Sequence, residues 1–253
     1  MPGLSFQRYL RTVQFPKLLK ELGVQNAETV TEQIQHFTEK EAEKRDEIVL
    51  SYFGAEGVQR IVDSISNCLL SPPRLMENAE ILDVGAGTGF FTTKIAQKLR
   101  KHLPTASFYA MGITPAMLKM LSKKTADILL FLGTAENVGA SIRFARKHLE
   151  IPEKFDAVYS TLTLHHCVDI ENVFQSIHEV LKTNGKAVIV DLSKHSFKEF
   201  KREMGDIHLG FQPEQVKEKA SKHFPMVQIE KIQGISCKVS GRSAELFIAY
   251  MTA

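Results

Sequence analysis

The chain of 253 residues has no tryptophan, three cysteines, and no apolar run of membrane-spanning length, about 18 residues. No membrane span is therefore expected, and the N-terminus lacks the apolar core of a signal peptide. Cys68, Cys167 and Cys237 lie far apart and form no CxxC pair, which argues against a disulfide framework and points to a reduced, cytoplasmic protein. Charge of one sign is also scarce. With 32 basic and 29 acidic residues the net charge is +3, too small to argue for a polyanionic partner, so nucleic acid is not an expected ligand. Internal repeats and low-complexity tracts are missing. The length suits one large domain or a domain with an appendage.

The stretch ILDVGAGTGFF, residues 81–91, is where the chain is most informative. An apolar run reaches Asp83, three glycines follow at alternate positions (Gly85, Gly87, Gly89), and a helical pattern begins at Phe90. This reads as strand, tight turn and helix N-terminus. Glycine lets backbone approach a ligand closely, and the helix start offers unpaired N–H groups. The spacing is G-x-G-x-G rather than the dinucleotide G-x-G-x-x-G, and no Walker lysine follows, which disfavours a nucleoside triphosphate loop. A ligand-free strand–helix corner is the plain alternative.

Around this turn the chain divides in two. Residues 1–78 read as a helical cap segment: short helices around Phe6–Leu22 interrupted at Pro16 and stopped at Gly23, then Thr29–Phe53 with the charged middle EKEAEKRDE as a solvated face, then Val58–Leu70 after Gly57. Residues 79–253 alternate apolar strands and helices. Strands are expected at Glu80–Gly85, Ser107–Gly112, Ile128–Gly133, Phe155–Leu162 and Lys186–Leu192, with helices between, the first of these being Phe90–Lys101. Helices are also expected over Lys194–Met204 and Pro213–His223. Two final strands, Val227–Ile232 and Ala244–Met251, are separated by Gly234–Gly241, and with no helix between them they pair as a hairpin, so the last strand is antiparallel. Thr114 is an N-cap candidate. The expected fold is α/β: a Rossmann-like, doubly wound, seven-stranded, mostly parallel sheet with an antiparallel last strand, preceded by the helical segment.

ILDVGAGTGFF resembles the first motif of the class I S-adenosylmethionine (SAM) dependent methyltransferases, of the small-molecule type that includes quinone-biosynthesis enzymes. The resemblance runs from about Glu80 to the C-terminus. It implies SAM as methyl donor, with Gly85, Ala86, Gly87 and Gly89 forming the wall against its amino-acid and ribose parts and Asp83 near its ammonium. Two positions depart from the family pattern. The second strand normally ends in an acid for the ribose diol, and Gly112 stands there. The third normally ends in Gly-Asp-Ala, and here Gly133-Thr134-Ala135 stands, with Glu136 as a substitute acceptor. A missing charged hydrogen bond is worth about 1.5–3 kcal/mol. Met111 and Ile113 are candidates to sandwich the adenine, and Thr161 and Leu162 to border the methionine part.

The run Leu164-His165-His166 after the fourth strand resembles the family segment beneath cofactor and substrate. His165 or His166 is a candidate general base, since an imidazole titrates near 6.5. Adjacent side chains diverge, so one of the two is expected in the pocket. Asp191, at the same sheet edge, is a candidate to orient a histidine. Ligand spacing for a metal is lacking, so no metal is expected. The leading function is SAM-dependent methylation of a small molecule. The alternatives are a non-catalytic or regulatory protein on the same fold, and an RNA or metalloid methyltransferase. A homodimer through the N-terminal helices is a further expectation.

Overall fold

The computed structural model describes residues 6–24, 31, 34 and 39–253. The start of the expected Thr29–Phe53 helix, including Phe37, lies outside the described residues. Seven strands form one sheet in the order β3-β2-β1-β4-β5-β7-β6. They are β1 (Glu80–Val84), β2 (Ser107–Gly112), β3 (Ile128–Leu132), β4 (Phe155–Thr161), β5 (Leu181–Leu192), β6 (Met226–Val239) and β7 (Arg242–Thr252). β1 pairs in parallel with both β2 and β4, and β7 runs antiparallel between β5 and β6. Chain order reverses between β1 and β4, the place where crossover helices leave opposite faces and open a crevice at the strands' carboxyl ends.

Ile81, Leu82 and Val84 are fully buried, as are Val158, Tyr159, Val188, Ile189 and Val190. Strands covered on both faces lose the alternation of a half-exposed sheet, which is why these segments read as continuous apolar runs. The hairpin extends past its expected ends. Gly234 does not stop β6; a register shift between Lys231 and Ser236 absorbs the irregularity, and pairing continues to Val239↔Arg242. The turn is the two residues Ser240 and Gly241, both at positive φ (47° and 75°), the arrangement that matches strand twist in tight hairpins.

Helices α1 (Phe6–Thr12) and α2 (Phe15–Glu21) break at Val13-Gln14, leaving Pro16 in the first turn of α2, where its missing N–H costs nothing. Tyr9 is fully buried beside the edge strand β3, and the Leu132 amide donates to its hydroxyl at 3.4 Å. Helix α3 (Glu39–Leu70) is two helical halves that meet at a kink, as two helices were expected there. Its second half lays Ile61, Val62, Ile65 and Leu69, all buried, on the sheet. Its end is pinned by Lys186, whose buried ammonium donates to the carbonyls of Leu69 and Ser71.

The change of direction within α3 is at Gly54 (φ 67°, ψ 169°), three residues before the Gly57 boundary read from the sequence. Only glycine adopts that conformation readily. An added Cβ there meets nothing within 4 Å, so the cost of a side chain is purely torsional. Gly54→Ala is expected to destabilise the fold by about 1–3 kcal/mol, read as a lower urea midpoint with unchanged slope. Equal stability would show that the bend does not depend on glycine.

Candidate functional site

The crevice at the switch point opens into a cavity. Its floor is the glycine turn Gly85–Thr88, one side is Gly112–Thr114 with α5 (Pro115–Lys124), and the other is Thr161–Thr163 after β4. The roof comes from the first half of α3: Arg45, Val49, Tyr52 and Phe53. Helix α4 (Phe90–Arg100) starts at the floor, and Phe90 and Phe91 close one end.

The three glycines of the turn do different work. A Cβ on Gly85 would stand 2.2 Å from Thr163 Oγ1, and one on Gly89 would stand 2.2 Å from Leu121 Cδ1. These two make room for protein atoms: Thr163, which donates to the Gly85 carbonyl at 3.1 Å, and the packed face of α5. Gly87 (φ 54°) is the open one, with only Met117 Sδ at 3.7 Å. This is the cradle, bare of side chain and facing the cavity, that a ligand with polar and apolar parts requires.

The roof is held by polar ties. Thr88 Oγ1 donates to Asp46 at 2.6 Å, Lys124 donates both to Asp46 at 2.5 Å and to the Thr88 carbonyl at 2.7 Å, and Lys119 pairs with Glu39 at 2.7 Å. The charged middle of α3 is thus solvated at Glu41, Glu43, Lys44 and Glu47 but turned inward at Arg45 and Asp46.

Of the expected cofactor residues, Gly85, Ala86, Gly87, Gly112, Ile113, Thr161 and Leu162 line the cavity. Gly89 does not; it caps α4. Met111 is fully buried, core rather than adenine wall. Thr134, Ala135 and Glu136 lie outside the lining. The Thr134 amide is bonded to Ser141 Oγ, and Glu136 accepts from the Asp169 amide at 2.7 Å. Asp83 is also displaced from its expected place. It sits buried beneath the turn, where Thr92 Oγ1 donates to it at 2.6 Å. Leu162 holds φ 56°, a left-handed backbone for a bulky residue at the cavity wall.

His166 reaches the cavity and His165 does not. The short turn Leu164–His166 sends His165 inward, fully buried, with its ring 4.2 Å from that of His166. His165 Nδ1 bonds Asp191 Oδ1 at 2.8 Å, and Nε2 faces Asp206 Oδ1 at 3.5 Å. Burial pushes the His165 imidazole toward neutrality, but Asp191 and then Asp206 outweigh it, and the net shift is upward. Asp191 also accepts from the Leu164 and Leu192 amides. Asp191, the candidate to orient a histidine, holds His165, the alternative candidate base; neither touches the cavity, so both are positioning residues beneath His166. In the segment Ser193–Phe211 after β5, His208 and Phe211 pack away from the cavity: the His208 amide donates to the His165 carbonyl, and Phe211 bridges to Ser193. From that segment only Met204 reaches the cavity.

The sequence reading missed Arg45, Val49, Tyr52, Phe53 and Asp206. The first three fall on one helical stripe (i, i+4, i+7), a signal masked by the surrounding charge.

Comparison with known proteins agrees with this geometry. Residues 82–189 match the family model described as a methyltransferase domain. The chain is 29% identical over 117 residues to the ubiquinone/menaquinone biosynthesis C-methyltransferase UbiE of Rickettsia peacockii, covering 46% of each. It is 28% identical over 153 residues to the biotin biosynthesis bifunctional protein BioHC of Cellvibrio japonicus, covering 60% of this chain and 27% of that protein. The chain thus spans less than half the length of these curated relatives. Among solved structures, phosphoethanolamine N-methyltransferase 2 of Haemonchus contortus superposes with TM-score 0.61 at 15% identity, over 95% of this chain and 61% of that one. Residues 82–189 are thus a methyltransferase domain, and the sheet has the fold of the solved SAM-dependent methyltransferases.

Asp83 generates a test. Burial pushes its carboxyl up to about 7, with Thr92 and Tyr159 opposing. The folded state then holds a proton that the unfolded state, titrating near 3.9, releases. Stability from this group is complete at low pH and is lost as pH rises from about 4 to about 7. Unfolding of wild type and Asp83→Asn across that window should show wild type losing a few kcal/mol relative to the variant, at about 1.4 kcal/mol per tenfold change in the proton equilibrium. Parallel pH profiles would contradict the assignment.

Proposed function

We propose that the chain is a SAM-dependent methyltransferase that transfers the methyl group to a small-molecule acceptor. The observation that carries this reading is the bare cradle at Gly87, placed at the switch point and roofed by α3. The residues present fit the cofactor. Backbone at Gly85–Gly87, with Ile113, Leu118, Thr161 and Leu162, would hold it. When bound, SAM supplies a methyl group activated by a sulfonium. The protein's own part is alignment and exclusion of water, which methyl transfer needs more than acid–base chemistry. The aromatic wall of Phe53, Phe90 and Phe91 supports a dry pocket. His166 is the group placed to hold or accept the acceptor's proton, with its Nδ1 held by the Gly205 carbonyl at 3.3 Å.

A pocket roofed by α3 and walled largely by apolar side chains favours a small acceptor over a polymer. In this reading α1–α3 serve as sheet cover and lid. The three cysteines are free, in keeping with a cytoplasmic setting. A second reading, ligand binding without turnover, draws on Gly112 and Thr134, where two charged anchors are missing.

Calorimetric titration decides between binding and no binding: SAM and S-adenosylhomocysteine should both bind, and no heat up to millimolar ligand ends the proposal. Gly87→Val should weaken S-adenosylhomocysteine by about tenfold or more, since each 1.4 kcal/mol is a factor of ten, while unfolding stays cooperative. Unchanged affinity would count against the pocket. A Cβ at Gly112 has ordinary room, its nearest neighbours being Leu118 Cδ2 at 3.7 Å and the Gly87 amide at 4.0 Å. Gly112→Asp is therefore expected to tighten binding by about tenfold, the value of one charged hydrogen bond; weaker binding would mean that another group already serves the ribose.

A further inference from the structure

We propose that His165, His166 and Asp206 form a binding site for one divalent transition-metal ion of the zinc class. One ligand atom from each lies within 4.8 Å of the other two. His165 is fully enclosed and Asp206 is 5% exposed. His165 Nε2 and both carboxylate oxygens of Asp206 have no hydrogen-bond partner. Buried polar atoms left unsatisfied are costly, and one cation satisfies all three. His165 Nε2 and Asp206 Oδ1 stand 3.5 Å apart, past the usual hydrogen-bond length. Two ligands of a tetrahedral ion, each about 2.0–2.1 Å from it, stand about 3.3–3.4 Å apart.

The surroundings hold both rings as a metal site does. A ligating histidine commonly donates its other ring N–H to a carboxylate or a backbone carbonyl, which fixes the tautomer that turns the second nitrogen to the ion. His165 Nδ1 is bonded to Asp191 Oδ1 at 2.8 Å, and His166 Nδ1 to the Gly205 carbonyl at 3.3 Å. The third ligand arrives from a distant segment, which is why sequence spacing does not reveal the site. The helix Lys198–Met204 ends at Gly205 in left-handed backbone (φ 76°), and the Ile207 and His208 amides donate to the His165 carbonyl at 3.1 and 3.0 Å. These bonds carry Asp206 to His165 without using its carboxylate. Two imidazoles and one carboxylate suit zinc, nickel or iron(II) better than magnesium or calcium, which take oxygen donors. Asp191 and Asp206 supply negative charge to offset a divalent ion, while the nearby Arg45 charge opposes it. His166 also lines the cavity, so the ion borders that space, and the ion and a proton are alternative occupants of the His166 ring.

The test titrates the full chain, stripped with EDTA and dialysed, with zinc chloride in a calorimeter. One equivalent should bind, and the midpoint of thermal unfolding should rise with zinc. Asp206→Asn keeps the backbone bonds that place residue 206. It should therefore unfold cooperatively, bind zinc at least about tenfold more weakly and lose the rise in midpoint. His165→Gln should lose the same site, and His102→Gln, at an exposed histidine outside the cluster, should bind as wild type does. Magnesium chloride should give no heat at the same concentrations. No zinc binding up to about 100 µM would overturn the assignment and leave the orphaned atoms to a buried water. Equal zinc affinity in wild type and Asp206→Asn would overturn it in favour of adventitious surface histidines, and magnesium binding as tight as zinc would overturn the imidazole ligands. The ion is read directly, so the result stands apart from any turnover of SAM.

Discussion

The site depends on one steric fit: the Thr163 side chain occupies the space where Gly85 has no Cβ. That contact lets the segment after β4 close on the turn after β1, so the two strands that flank the topological switch are joined at their carboxyl ends. Much of the rest follows from it. Leu162 is forced into a left-handed backbone at the wall, and the short turn that follows divides two adjacent histidines between cavity and core. The polar groups of the turn are satisfied by neighbouring strands, the Gly85 and Ala86 amides both donating to the Met111 carbonyl. Gly87 therefore has no structural partner to accommodate, which is what leaves it open.

Beneath the cavity lies a buried set of charges: His165 between Asp191 and Asp206, with Arg45 above. Such a set is costly to bury and is weak evidence of stability by itself. Its arrangement is nevertheless specific. Asp191 uses its carboxylate on the His165 ring and on two backbone amides, fixing the turn that carries His166. Burial raises Asp206 to about 6, while His165 and Arg45 pull it back.

How much of this was legible in the sequence depends on range. The sheet and the glycine turn were readable because apolar runs and glycine spacing act locally. So was the divergence of the two histidines, which follows from backbone geometry at adjacent residues. The end of β6 was misread because Gly234 looks like a breaker, while the true turn, Ser240-Gly241, is marked by backbone angles that serine rarely adopts. The bend of α3 was placed at Gly57 because both glycines lie in a helical pattern and only packing selects Gly54. Arg45 and Asp46 sit in EKEAEKRDE, which locally is indistinguishable from a solvated face; their inward turn is set by Thr88 and Lys124, 42 and 78 residues away from Asp46. Asp83 poses a different ambiguity: an acid before a glycine turn serves either a ligand or the turn, and here Thr92, nine residues on, donates to it.

The roof and the floor are joined in contrasting ways. The second half of α3 is fixed by buried aliphatic side chains and by Lys186, an attachment that is lost only with the fold. The first half touches α5 and the glycine turn through charged and hydroxyl groups at a partly solvated rim, where each pair contributes about 1 kcal/mol or less. Gly54 separates the two regimes. The two halves of α3 are therefore held by different physics, burial on one side and screened charge pairs on the other. The half held by rim pairs is the one bearing Arg45, Val49 and Tyr52, so the roof of the cavity rests on weaker contacts than the cover of the sheet.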